Sequence, residues 1–456
     1  MEIHKPRILY MLGWFYPDSV GGTERYVHLL AKDIQEKGWD VTIAAPAIDE
    51  KEHQYTYDGI TVYRYPVSLE PSLAEVRVKV VPGYFEVFQD WLRKNMPDIA
   101  HIHSRTRGCG FFHMQYIKQL GIPLVLTIHA ADFMCMGGTA MLWGVAPCDG
   151  RLHDYRCVAC WLKKQGVYWP LAMLMARIPV SIAKMMEEMP GKYATALAIK
   201  KLFVDKQGRD RAIFNFCDRI IVVSKWLLKV LLLNNIPERK IFISLHGLPP
   251  VPVYHKKAPG LGHAGTLRIG FIGRFVHIKG AHVLIQAVRR LSLRIHVELR
   301  IYGRVNTEED ASYFMGLQKI SQRDKRIKFC GELKSDNYEE IMSNLDIVAI
   351  PSLWLETGPM VALEAFAWGI PVIGCNVGGV AELIKDGING RLVKMGDVRA
   401  WARQIQWIYE HPETLREWAG HIPEVRSSKD VACDMRKIYE EVLAGNKSLP
   451  GVSYNK

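Results

Sequence analysis

One pattern limits the folds open to this chain, and it is written twice. The stretch "RILYML" at Arg7–Leu12 reads as a short apolar strand. A loop holding Gly21-Gly22 follows, then a helix from about Thr23 to Lys37, on which Tyr26, Leu29, Leu30 and Ile34 recur at helical spacing. Gly38 stops that helix and "DVTIAA" resumes as a strand. The same order returns as "LRIGFIG", a loop, a helix from about Lys279 to Leu291, and "VELRIYG". Further short apolar runs end in polar or small residues: "DIAHIHS", "PLVLTIH", "DRIIVVS", "KFCG", "DIVAIPS" and "PVIGC". Strands alternating with helices imply parallel sheets covered on both faces, hence an α/β chain with two doubly wound domains. In such sheets ligands sit at the carboxyl ends of the strands.

The domain reading follows from this. Residues 1–250 form the first domain, 266–428 the second, and 429–456 a terminal segment with a helix set to pack back on the first. The Pro- and Gly-rich "LPPVPVYHKKAPGLGHAGT" at 248–266 joins them as a linker. An insert at about 131–213 breaks the alternation with no clear strand, in "GVYWPLAMLMARIPVSIAKMMEEM" and "ALAIKKLF". These read as amphipathic helices with a Met/Leu face bordered by lysines, a pattern that fits either the domain's own core or a membrane interface.

Charge points the same way. The formal net charge is +12, and from Cys160 to Arg211 ten Lys or Arg face four Asp or Glu. A localised basic stretch implies an anionic partner, and an anionic membrane surface is the expectation. A nucleic acid is not, because no zinc-finger array or aromatic RNA-binding motif is present. No uncharged run reaches spanning length. "MEIHKPRILY" carries charges where a secretory segment is apolar, so the expected location is cytoplasmic, peripheral on the inner face of the cell membrane.

The chemistry concentrates in two stretches. "IGFIGRFVHIKG" holds Gly273, Arg274 and Lys279 just after a strand, and "PSLWLETGPMVALEAF" holds Glu356 and Glu364 at the start of a helix. Cations beside a strand end suit phosphates, which Arg binds bidentately and Lys as a compact charge. A carboxylate accepts the two hydrogen bonds of a vicinal diol. A ligand both hydroxyl-rich and anionic satisfies both, and a nucleotide-sugar is one. The leaving group of glycosyl transfer is a nucleoside diphosphate whose charge grows as the bond breaks, so cations there stabilise the transition state above the ground state. A helix opening near Pro359 adds its positive end, proline suiting a first turn.

With these residues together and in order, the chain resembles the retaining glycosyltransferases of family 4, with the GT-B fold. The resemblance runs from about Arg7 to Leu443 and is tightest from Arg268 to Val393. It implies two Rossmann-like domains with an inter-domain cleft, the acceptor on the first and the donor on the second. It further implies that Arg274 and Lys279 hold the donor diphosphate, that Glu356 faces hydroxyls of the transferred sugar, and that Glu364 meets the ribose. Gly358, Pro359 and Met360 bring backbone amides to the donor, Gly273 lies beside them, Gly21 and Gly22 form a loop over the diphosphate, and His129 stands beside the donor sugar. Glu356, His129, Arg274 and Lys279 are the catalytic candidates. The family often has Asp directly after that histidine; here Ala130 and Ala131 intervene before Asp132. Where the family often has Asn-Gly near the linker, His246-Gly247 stands, and no role is given to His246.

Cys135, Cys148, Cys157 and Cys160 close the list, ending in a C-x-x-C whose spacing, read as a hairpin knuckle, suits a structural zinc. No catalytic cofactor is expected, since no D-x-D element for a divalent cation is found. The expected function is transfer of a UDP- or GDP-linked sugar to a lipid-linked saccharide or surface polysaccharide. The alternatives are another GT-B enzyme, such as a nucleotide-sugar epimerase, and a non-catalytic basic membrane scaffold.

Overall fold

A computed structural model describes residues 5–19, 21–249, 265–333 and 338–446. Most of the 248–266 linker lies outside them. The chain divides into two compact units, one of residues 1–246 with 428–456 and one of residues 247–427.

The first unit holds an eight-stranded sheet. Its strands are β1 (Arg7–Met11), β2 (Asp40–Pro46), β3 (His53–Tyr57), β4 (Ile60–Tyr65), β5 (Ile99–Ile102), β6 (Leu124–Ile128), β9 (Arg219–Val222) and β10 (Ile241–Ile243). The order is β10-β9-β6-β5-β1-β2-β4-β3. All neighbours pair parallel except β3 and β4, an antiparallel hairpin at the edge. That hairpin departs from the all-parallel expectation, and its cause is local. Asp58 and Gly59 both have positive φ, 48° and 79°, and an Asp-Gly pair of this kind makes the tight turn whose twist matches two adjoining strands.

The expected helix after the first glycine loop is present as Gly22–Glu36 and buries Tyr26, Val27, Leu30, Ala31 and Ile34 against the sheet. The terminal helix, Ser428–Asn446, closes the same face: Val431, Ala432, Met435, Ile438, Tyr439 and Val442 share one core with Ile8, Tyr10 and Val41. The insert is helical, in Asp154–Lys164, Trp169–Met175, Val180–Met186 and Lys192–Phe216. It also contains what the sequence did not reveal, a two-stranded hairpin of β7 (Met141–Leu142) and β8 (Ala146–Pro147).

The second unit is a six-stranded parallel sheet of β11 (Leu267–Ile272), β12 (Val297–Tyr302), β13 (Ile327–Gly331), β14 (Ile347–Ile350), β15 (Val372–Cys375) and β16 (Gly390–Val393). Its order, β13-β12-β11-β14-β15-β16, reverses direction between β11 and β14. Loops leaving those two strands part to opposite faces and leave a crevice at their carboxyl ends. The helix expected over Lys279–Leu291 is shorter, Ala281–Arg290, because His277–Lys279 forms a separate 3₁₀ turn ahead of Gly280.

Tyr439 ties the last helix to the first strand. Its hydroxyl lies 3.2 Å from the Tyr10 hydroxyl and 2.6 Å from His101 Nδ1, all buried. Tyr439→Phe strands a buried imidazole nitrogen and is expected to cost about 1–3 kcal/mol, seen as a lower urea midpoint at unchanged slope.

Candidate functional site

In the second unit the two chemistry-bearing stretches leave adjacent strands. β11 pairs with β14, Ile269 against Ile347 and Gly270 against Val348. Past its end, Gly273 gives its N–H to the Tyr302 carbonyl, and Arg274 follows, exposed, its guanidinium without a side-chain partner among the described residues. The chain then turns through His277–Lys279 and presses onto the loop after β14. Leu353 N–H donates to the Ile278 carbonyl at 2.7 Å. Gly280 has φ 74°, and a Cβ there would lie 2.0 Å from the Pro351 carbonyl oxygen, so only glycine lets the two loops meet.

This contact places Lys279 on Glu356. Lys279 Nζ donates to Glu356 Oε1 at 2.8 Å, and the Ser352 hydroxyl donates to the same oxygen. Glu356 is 6% exposed. Burial pushes its carboxyl up, but the Lys279 ammonium and the hydrogen bonds outweigh it and hold the group below the ordinary carboxylate range. Lys279 also sits 5.7 Å from the centre of the Trp354 ring. The Glu356 carbonyl in turn accepts from Gly379 N–H at 2.7 Å. A Cβ on Gly378 would lie 2.9 Å from that carbonyl oxygen and one on Gly379 2.7 Å from that of Thr357. Ser352 and the Gly378-Gly379 pair were missed by the sequence reading. The signal was there: "NVGGVAEL" is a glycine pair opening a helix after a strand, as at Gly21-Gly22.

Pro359 is the N-cap, with ψ 96°, and Met360 begins the helix that runs to Ala367, one residue later than expected. Gly358 precedes them, half-buried, and Glu364 is buried one turn in. The structure thus joins Lys279 to Glu356 directly and sets Arg274 and Glu364 on the same two loop-and-helix segments.

Gly21, Gly22 and His129 belong to the first unit. Gly21 caps the Gly22–Glu36 helix, and a Cβ on it would come 2.5 Å from Glu24 Oε2. The Ser19 hydroxyl holds the other oxygen of Glu24 at 2.8 Å. His129, after β6, faces His103, after β5: His103 Nδ1 and His129 Nε2 are 3.1 Å apart. His246 stacks on His129 with ring centres 5.7 Å apart, and Tyr26 meets His129 edge-on at 5.0 Å. His246 was given no role from sequence, and nothing in its spacing shows that β10 delivers it here. Burial, then the neighbouring imidazoles, holds His129 well below the ordinary value, so it is a neutral hydrogen-bonding ring. His101 is fixed between Tyr439 and Thr127. Asp132 accepts from Arg105 at 3.2 Å, in a network with Asp210 and Lys206.

The four cysteines named for a structural zinc line one cavity. Cys157 and Cys160 lie inside the Asp154–Lys164 helix, where C-x-x-C spans a helical turn rather than a hairpin knuckle. Three of the thiols have hydrogen-bond partners: Trp143 N–H donates to Cys160 Sγ at 3.1 Å, His153 N–H to Cys157 Sγ at 3.4 Å, and Cys148 Sγ to Asp149 at 3.7 Å. Burial raises the thiol pKa of Cys148, Cys157 and Cys160, which favours the protonated form. Among the described residues no three His, Cys, Asp or Glu are arranged to hold a metal ion.

Two doubly wound units, one carrying a cation–carboxylate pair at its switch point, are the architecture of the GT-B fold. Residues 258–423 match the model of the group 1 glycosyl transferases and residues 20–164 that of glycosyltransferase family 4, and the chain belongs to this family. An uncharacterized glycosyltransferase of Methanocaldococcus jannaschii is 31% identical over 199 residues, 40% of this chain but only 49% of that protein. The N-acetyl-alpha-D-glucosaminyl L-malate synthase of Bacillus anthracis is 27% identical over 95% of this chain and 97% of its own length. Among solved structures, Anabaena HepE in complex with UDP-glucose superposes with a TM-score of 0.59 over 97% of this chain and all of that one, at 15% identity, a likeness of fold.

The buried histidines give a pH dependence with a definite sign. Burial lowers His113 to about 3 and His246 to about 4, from an ordinary 6.5, and lowers His101, His103 and His129 as well. The unfolded chain therefore binds more protons, so this stability is whole above pH 6.5 and is lost as pH falls below it. Each histidine contributes a slope of about 1.4 kcal/mol per pH unit there. His113→Phe, packed among Phe85, Phe88 and Tyr65, is expected to flatten the fall of unfolding free energy with pH between pH 6 and 5, read from urea titrations at each pH, by about that amount.

Proposed function

We propose that the protein is a retaining transferase that moves a sugar from a UDP- or GDP-sugar to a lipid-linked saccharide or a surface polysaccharide. One observation carries the donor half: a buried carboxylate and a lysine are held together at the carboxyl ends of β11 and β14, at the switch point of the second unit. Arg274, exposed and free of side-chain partners among the described residues, is available to pyrophosphate oxygens. Lys279 neutralises the leaving diphosphate as its charge grows. Glu356, kept ionised by Lys279, accepts hydroxyl hydrogen bonds of the transferred sugar, and Glu364 those of the ribose. The start of the Met360–Ala367 helix and the amides of Gly358 to Met360 favour the anion further. Gly273 leaves room beside them.

The fold likeness to HepE, solved with UDP-glucose, supports a nucleotide-sugar donor, and the Bacillus relative is named for a malate product rather than a lipid-linked one. The lipid or polysaccharide acceptor rests on the basic, apolar insert of the first unit.

A panel of nucleotides and nucleotide-sugars, read by thermal shift, tests the donor: the true one raises the melting point by mass action, and a flat panel refutes the reading. Glu356→Gln is expected to lower turnover about a hundredfold or more while the fold persists. Lys279→Met leaves Glu356 buried without its cation and is expected to cost about 3 kcal/mol in urea unfolding, in addition to loss of activity.

A further inference from the structure

The insert helices are built the wrong way round for a surface that meets only water. A helix on a soluble protein turns its large apolar residues inward. Here the inward positions are alanines: Ala172, Ala176 and Ala183 are 0% exposed, Ala198 0% and Ala194 9%. Small inward residues let Trp169–Met175 and Lys192–Phe216 close on the Asp154–Lys164 helix, in a core of Val158, Leu162, Ile199 and Phe203. The large apolar side chains point out: Leu174 is 64% exposed, Ile182 51%, Met185 73%, Met189 50% and Tyr193 78%. Exposed Leu171 and Leu174, Ile182 and Met185, and Tyr193 and Leu197 stand three or four residues apart, so each segment presents one apolar stripe to solvent.

Cations stand among these stripes. Lys184 and Lys192 are exposed, and Lys192 Nζ lies 5.3 Å from the Tyr193 ring centre, as Lys163 Nζ does 5.2 Å from that of Trp169. Of the two acids between Trp169 and Lys201, Glu187 is buried and paired with Lys79 at 3.0 Å, which leaves Glu188 exposed. That pair also draws in the segment of Val80 and Val81, 46% and 48% exposed. Among the described residues no helix is long and apolar enough to cross a membrane. Apolar stripes of this kind, edged with lysines and interfacial aromatics, match the boundary between headgroups and acyl chains, and the basic excess selects negative headgroups.

We propose that the outward face of Trp169–Met175, Val180–Met186 and the first turns of Lys192–Phe216 docks on an anionic lipid bilayer. The inference deepens the proposed function, because a lipid-carried acceptor would be met there. Its test needs no donor. The full chain is floated with vesicles of phosphatidylglycerol and phosphatidylcholine in equal parts, and with phosphatidylcholine alone, at low and high salt. Binding to the anionic vesicles that weakens with salt is expected. Leu174→Ser with Met185→Ser, and separately Lys184→Glu with Lys192→Glu, are expected to cut the bound fraction about tenfold at unchanged melting temperature. No flotation of the unaltered protein at low salt, or variants that float as well as it does, overturns the proposal. So does a dimer in solution that Met185→Ser dissociates without any vesicle binding, since a second copy then covers the face. Donor thermal shifts on the same samples separate the two failures: a shift without flotation sinks the docking alone, and flotation without a shift sinks the transferase alone.

Discussion

The second unit depends on a close approach between two loops. Gly280, in a left-handed conformation, lies against the Pro351 carbonyl, and a backbone bond from Leu353 to Ile278 fixes the distance. Everything that makes Glu356 usable follows from it. A carboxylate this buried would otherwise take up a proton; beside Lys279 and Ser352 it stays an anion that can accept hydroxyl hydrogen bonds. The Gly378-Gly379 turn supports the same loop from behind, through the Glu356 carbonyl, so the carboxylate is held by its side chain and by its backbone at once. A carboxylate already ordered before substrate arrives loses little freedom on binding.

Much of this was written in the sequence, and what was not has physical reasons. The two sheets and the placing of Lys279 and Glu356 beyond strand ends follow from short apolar strands and from polar residues at their carboxyl ends, whereas the bond between the two residues was seen only in the structure. The Asp58-Gly59 turn was equally legible, as an Asp-Gly pair between two alternating runs, although the parallel pattern around it obscured it. The meeting of His246 with His129 was not legible, since residues more than a hundred positions apart met through strand order alone. The setting of the C-x-x-C was not legible either, because its spacing occurs both in a hairpin knuckle and in one turn of a helix, and only the Asp154–Lys164 helix decides between them.

The insert shows a different limit. Its periodicity correctly gave amphipathic helices with a Met/Leu face. Periodicity states that two faces differ, and it does not state which one turns to solvent. Burial settled that in favour of the alanines, because only small side chains allow the helices to lie close on their neighbours.

The terminal helix sets an order on biosynthesis. Its Tyr439 completes a core that begins at Ile8, so strand β1 and the Gly22–Glu36 helix keep an oily flank open while the ribosome produces the whole second unit. That unit can finish folding first, although it is translated later. The earlier half waits for residues 428–446 to emerge, and during that interval its uncovered flank is a natural substrate for chaperones.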